Sequence, residues 1–181
     1  MNRVLKELFS TGLYLLIVLI AIYLVITFVG QRTEVDGASM ETALYDGDNL
    51  IVDKITYRFK EPQRFDIIVF PFQYKENTFY IKRIIGMPGE VVWIDEKGNI
   101  YINGEVLEES YGKEIIKAEN VGIASQPITL GEDEYFVMGD NRNNSSDSRT
   151  EIVGNIHRKD IVGRAWLRIW PLSEFGILKH Q

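Results

Sequence analysis

Leu8-Phe9-Ser10-Thr11-Gly12-Leu13-Tyr14-Leu15-Leu16-Ile17-Val18-Leu19-Ile20-Ala21-Ile22-Tyr23-Leu24-Val25-Ile26-Thr27-Phe28-Val29 is a run of 22 residues without a charge. As an α-helix it is about 33 Å long, matching a bilayer hydrocarbon core of roughly 30 Å. A cleavable secretory leader has an apolar core of only about 7–15 residues and ends in small residues. Here Gly30-Gln31-Arg32 follows, a poor cleavage site. The run also lacks the polar face of a helix lying on a soluble core. Residues 8–29 therefore read as one transmembrane helix, with a short tail (1–7) before it and a single domain (30–181) after it. Arg3, Lys6 and the amino terminus precede the span, while Arg32, Glu34 and Asp36 follow it. That excess of positive charge predicts a cytoplasmic N-terminus and an extracytoplasmic domain.

Beyond the anchor, about 150 residues remain, enough for one domain with a real core and too few for two. The chain carries a formal net charge of −6, so composition suggests no basic face for nucleic acid. Cysteine is absent, which excludes disulfides, thiol nucleophiles and thiolate metal sites. Histidine occurs only at His157 and His180, and His180 sits in a terminus expected to fray. So few histidines weaken both a Ser-His-Asp triad and a multi-histidine metal site.

After Thr33 the pattern turns from helical to extended. Asn49–Asp53 and Phe65–Phe70 are short apolar runs bounded by turn residues, the mark of strands. Phe79–Ile85 is a third, ended by Gly86-Met87-Pro88-Gly89. Val91–Ile94 and Asn99–Ile102 flank a Glu96-Lys97-Gly98 turn, and Asn103-Gly104 turns the chain into Glu105-Val106-Leu107, a strong two-residue hairpin signal. Residues 108–132 are polar and weakly patterned and read as a surface excursion. Tyr135–Met138 and Asp160–Trp170 supply further strands, the last stopped by Pro171. No long amphipathic helix follows Gly30. The expected fold is mainly β and antiparallel, tethered by one helix.

Asp36-Gly37-Ala38-Ser39-Met40 is a turn of small residues only ten positions past Val29. An extended chain of that length keeps Ser39 within roughly 35 Å of the membrane surface. Gly37 and Ala38 remove bulk, so another backbone can approach the Ser39 hydroxyl. A serine nucleophile needs a base, and with histidine scarce lysine is the next candidate. Alternation places Tyr80, Lys82 and Ile84 on one strand face, and Ile81, Arg83 and Ile85 on the other. A lysine desolvated there has a lowered pKa and supplies a neutral amine. A lysine snorkelling from a strand edge fits the same pattern.

Three blocks occur in order: Gly37-Ala38-Ser39-Met40, then Tyr80-Ile81-Lys82-Arg83-Ile84-Ile85-Gly86-Met87-Pro88-Gly89, then Met138-Gly139-Asp140-Asn141-Arg142-Asn143-Asn144-Ser145-Ser146-Asp147-Ser148-Arg149. The chain resembles the bacterial type I signal peptidases, membrane-anchored serine–lysine proteases that remove signal peptides from exported proteins. The resemblance runs from the anchor to about Pro171, and the small size and single anchor are similar to the Gram-positive type. It implies Ser39 as nucleophile, Lys82 as general base, and a Ser145 hydroxyl that orients the lysine amine. It further implies structural ion pairs of Asp147 with Arg149 and of Asp140 with Arg83. The Ser39 N–H is the expected oxyanion donor. Some relatives add a hydroxyl two residues before the nucleophile, where this chain has Gly37. Substrates by this resemblance are secretory preproteins, the other partner is the lipid bilayer, and neither cofactor nor metal is implied.

One departure stands out. The family usually continues Ser-Met-x-Pro-Thr-Leu, and this chain reads Ser39-Met40-Glu41-Thr42-Ala43-Leu44, without the φ-fixing proline. A looser nucleophile turn is expected, and a catalytically inactive tethered homologue that binds exported chains or a partner is the alternative. A self-cleaving repressor-type relative is a further rival, opposed by the long span and acidic charge. Asp140 and Glu151 have the end-to-end spacing of a calcium loop, but Arg142 and Ser145 occupy ligand and glycine positions, which argues against calcium. Asn143 and Asn144 match a glycosylation pattern too short to weigh. The basic neighbours of His157 suggest a solvated turn. In the closing strand, Arg164, Trp166, Arg168 and Trp170 alternate on one face, a set that suits either a bilayer interface or a ragged outer surface.

Overall fold

In a computed structural model the described residues are 3–28 and 30–179. The first element, α1 (Arg3–Phe28), has 26 residues, about 39 Å at 1.5 Å per residue. It starts five residues before the uncharged run, so most of the expected tail is helical; Val29 and His180 lie outside the described residues. Twelve strands follow: β1 (Gly30–Glu34), β2 (Asn49–Asp53), β3 (Ile67–Pro71), β4 (Phe79–Gly86), β5 (Val91–Ile94), β6 (Ile100–Ile102), β7 (Glu105–Val106), β8 (Ile128–Thr129), β9 (Glu134–Met138), β10 (Ile156–His157), β11 (Gly163–Trp170) and β12 (Gly176–Ile177). Beyond α1, only short 3-10 turns interrupt them among the described residues.

Two sheets result. The larger runs β1-β2-β11-β3-β4-β9-β10 with β12 on β11, and the smaller runs β7-β6-β5-β8. Every recorded pairing is antiparallel. Strand alternation sorts the larger sheet into two apolar layers: Ile67 and Val69 pack with Val52, Met40 and Leu44, while Ile68 and Phe70 pack with Ile84 and Val137. A third cluster joins the smaller sheet (Val92, Ile94, Ile100, Ile102) to Ile85, Phe136 and Met138 at the ends of β4 and β9. The strands that carry Lys82 and lead into Gly139 are thus held from both sheets.

Turn chemistry fixes the smaller sheet. Asn103 and Gly104 both take positive φ, 52° and 88°, as a two-residue type I′ hairpin requires. Two expectations need correction. Residues 108–132 are not merely a surface excursion, because Ile116, Val121, Ala124 and Leu130 are buried in the third cluster. The closing strand does not keep one alternating face either. Register shifts between Ala165 and Leu167 and between Arg168 and Trp170 change its phase. Arg168 is consequently buried, donating to the Ala43 carbonyl, while Trp166 and Trp170 stay exposed.

Candidate active site

Lys82 lies on β4, an interior strand between β3 and β9. Its stem is enclosed, leaving the residue 4% exposed, and its amine sits 5.0 Å from the Tyr80 ring centre. Nζ lies 2.8 Å from Ser39 Oγ and 2.9 Å from the Ile81 carbonyl oxygen, to which it donates. Burial pulls the Lys82 amine down to about 8; Asp147 and Asp140 pull it the other way and are outweighed. A neutral amine so placed keeps one lone pair, and Ser39 is the group in reach of it.

Ser39 occupies a turn closed by the Glu41 N–H on the Ala38 carbonyl. The turn is anchored from below by Met40 and Leu44, both buried. The Gly37 N–H bonds Asp46 Oδ1 at 2.7 Å, so that amide is already committed and offers no second oxyanion donor. Asn141 holds the turn from the other side: its N–H bonds the Ser39 carbonyl at 3.1 Å and its side-chain amide the Ala38 carbonyl at 3.0 Å. These contacts stand where the family's proline is missing, and the turn is not loose.

The two expected ion pairs are both formed and both buried. Arg83 Nε and its terminal nitrogen hold Asp140 at 2.8 and 2.6 Å. Arg149 holds Asp147 the same way, at 2.8 and 2.8 Å. The second Asp147 oxygen also accepts the Gly139 N–H at 3.0 Å. Burial pushes the Asp140 carboxyl upward, and Arg83 opposes that shift. Asp140, the first residue of the calcium-loop spacing, is engaged by Arg83, and no group of three or more acidic, histidine or cysteine side chains suited to a metal occurs among the described residues.

Ser145 differs from expectation. Its Oγ is buried and makes no hydrogen bond, to Lys82 or to any other group. It lies against Gly139, where an added Cβ would fall 2.3 Å from that Oγ and 2.4 Å from the Ser39 carbonyl oxygen. Only glycine permits this approach of the loop after β9 to the serine turn. His157 is remote in role: it sits on the edge strand β10, half-exposed, beside Asp133 at 3.2 Å.

Several residues at the site escaped the sequence reading. Asn141 is one. Arg142, 2% exposed, donates to the Gly139 carbonyl at 3.1 Å and pairs with Glu109 at 2.6 Å. Tyr111 stacks against the Arg83 guanidinium at 4.1 Å. Their only sequence signal was membership of, or proximity to, the 138–149 block; Glu109 and Tyr111 had none. An open groove of about 280 Å³ reaches Ser39 and Lys82, lined by Thr33–Asp36 on one side and Thr78–Lys82 on the other.

A serine hydroxyl thus lies 2.8 Å from a buried lysine amine, beside a groove between strand segments. The sequence matches the family described as "Signal peptidase, peptidase S26" over residues 8–170. The chain belongs to that family, and so to the serine endopeptidases. It is 40% identical over 157 residues to a probable signal peptidase I-2 of Synechocystis sp., covering 84% of this chain and 68% of that one. It is 39% identical over 164 residues to signal peptidase I P of Bacillus subtilis subsp. natto, covering 88% and 87%. A crystal structure of a signal peptidase I from Enterococcus faecalis V583 is 37% identical, covers 58% of this chain and 97% of its own, and superposes with a TM-score of 0.48.

Proposed function

We propose that this protein removes N-terminal signal peptides from secretory preproteins at the outer face of the membrane, with Ser39 as nucleophile and Lys82 as general base. The neutral Lys82 amine takes the Ser39 proton as Oγ attacks the scissile carbonyl carbon. The resulting oxyanion is met by the Ser39 N–H. Collapse passes the proton from Lys82 to the leaving amine and leaves an acyl-serine. Water, deprotonated by the same amine, then releases the signal peptide and restores both groups. The orienting of the Lys82 amine is assigned to Ser145 from the family resemblance; its buried hydroxyl lies against Gly139 and makes no hydrogen bond to that amine in this structure. Asp140–Arg83 and Asp147–Arg149 hold the loop and strand that bear these groups.

An extended segment suits the groove, because strand edges on both sides offer main-chain pairing. Helix α1 anchors the enzyme in the bilayer, with the N-terminus cytoplasmic by the positive-charge excess. The observation that carries the reading is the 2.8 Å approach of Lys82 Nζ to Ser39 Oγ in a buried setting. The inactive-homologue alternative rests on Glu41-Thr42-Ala43 alone, and Asn141 and Met40 anchor that turn. The test is incubation of the purified full chain, in detergent or vesicles, with a preprotein, followed by N-terminal sequencing of the product. One new terminus after the signal peptide is expected; no cleavage, or cuts scattered through the mature part, overturns the reading.

A further inference from the structure

Lys113 lies in the polar stretch between β7 and β8, far in sequence from either reactive group, yet it touches both sides of the site. Its amine donates to Glu41 Oε2 at 2.6 Å across 72 residues. Its backbone N–H donates to the Asp140 carbonyl at 2.8 Å. Asp140 is the partner of Arg83, the neighbour of Lys82 on β4. Glu41 belongs to the turn that carries Ser39, closed by its own N–H on the Ala38 carbonyl at 3.2 Å. The same Glu41 oxygen also receives the Asn141 side-chain amide at 3.4 Å. Glu41 holds the Lys113 amine above its ordinary range.

We propose that the Glu41–Lys113 ion pair is a positioning latch, which fixes the nucleophile turn against the 139–149 loop and substitutes for the proline absent at Thr42. The proposal rests on Ser39 being the nucleophile. The pair is partly exposed, with side chains 25% and 40% accessible, so it contributes little to global stability. Its leverage is local. A nucleophile displaced by a fraction of an ångström loses rate steeply, while the groove that binds substrate is lined by other residues. Glu41 and Lys113 are therefore positioning residues, acting on Ser39 and not on substrate.

The experiment measures kcat and KM for cleavage of a preprotein by the full chain carrying Lys113→Met, Lys113→Arg, Glu41→Gln or the swapped pair Glu41→Lys with Lys113→Glu. The backbone contact of residue 113 survives each substitution, so the side-chain latch is tested alone. Lys113→Met and Glu41→Gln should each lower kcat roughly tenfold, short of the hundredfold cost of a 1 Å misplacement, with KM nearly unchanged. Lys113→Arg should keep wild-type turnover, and the swapped pair should recover several-fold over Lys113→Met. Rising salt should lower wild-type kcat toward that of Lys113→Met and leave the latter flat, because screening weakens an exposed pair. Wild-type turnover in Lys113→Met, equal damage from the arginine variant, or a fall in melting temperature that accounts for the loss would each overturn the latch. Ser39→Ala run alongside separates the two readings. Retained cleavage there removes the nucleophile assignment and the latch with it; lost cleavage there beside an unimpaired Lys113→Met removes the latch alone.

Discussion

Ser39 and Lys82 meet at 2.8 Å, yet they are held in opposite ways. Lys82 belongs to an interior strand paired on both edges, at Ile68 in β3 and, one residue on, at Met138 in β9. Ser39 sits on a turn outside any strand, tied down by Asn141, by Asp46 and by the burial of Met40. Lys82 is part of the sheet. Ser39 is hung beside it from a few hydrogen bonds. Substitutions should therefore divide: those on the turn change turnover with little effect on folding, and those under the strand change folding first.

The largest effect breaks the comparison if it fails. Ser39→Ala and Lys82→Met should each lower kcat by roughly 10⁴-fold or more, with residual activity from binding and the oxyanion donor. Both variants should fold, because Ser39 is on a turn and methionine fills the lysine stem's space. Turnover within tenfold of wild type in either variant removes that residue from the mechanism.

Next comes the layer under Lys82. Asp147→Asn leaves Arg149 buried without its counter-charge, a loss of about 3–5 kcal/mol for a truly buried pair. In a chain of this size each 1 kcal/mol lowers the melting temperature by about 2–4 °C. A thermal melt should show that drop. A variant with wild-type melting temperature and no activity would mean that Asp147 serves the reaction directly.

A smaller contrast sharpens the division on the turn side. Asn141→Ala removes the side-chain bonds to the Ala38 carbonyl and Glu41 Oε2, keeps the backbone N–H on the Ser39 carbonyl, and should lower kcat by about tenfold with KM preserved. Ser145→Ala should also lower kcat, by roughly tenfold, if its hydroxyl steers the amine. Its thermal stability should be unchanged or slightly higher, because an unsatisfied buried hydroxyl is removed. If Ser145→Ala lost stability instead, the hydroxyl would be engaged in structure and the orienting role would fall.

The same division governs what the sequence made legible. The strands around residues 49–53, 67–70 and 79–85 were readable because alternation and β-branched residues are local signals, and Asn103-Gly104 announced its own turn. The segment from Gly30 to Glu34 carries almost no apolar residue and becomes a strand only by pairing with β2. Ile116, Val121, Ala124 and Leu130 were hidden because lone apolar residues in a polar stretch have no period to detect. Ser39, Lys82 and the Asp–Arg partners came chiefly from the order of three motif blocks. The ties that aim Ser39 could not be read at all. Asn141 to Ala38 spans 103 residues and Lys113 to Glu41 spans 72, and no local pattern encodes a contact of that range.

The last prediction has the smallest effect, and for one variant the expected effect is none. Lys82 must lose its proton before it can accept one from Ser39, so activity should follow its deprotonated fraction. Burial brings its pKa down to about 8 from the ordinary lysine value. Deprotonation rises with pH, so kcat should climb along one acid limb with its midpoint near 8. Below it the rate should fall about tenfold per pH unit, and above it the rate should level off. An unperturbed lysine would place that limb near 10.4 and an unperturbed histidine near 6.5. His157 lies on the edge strand beside Asp133, and His157→Ala should leave the limb where it is. Kinetics of the wild type and this variant across the pH range decide the matter. A midpoint displaced by more than about one unit in His157→Ala would take the base assignment away from Lys82. A limb shared by both proteins, with its midpoint near 8, would exclude His157 as the titrating group and agree with a buried Lys82.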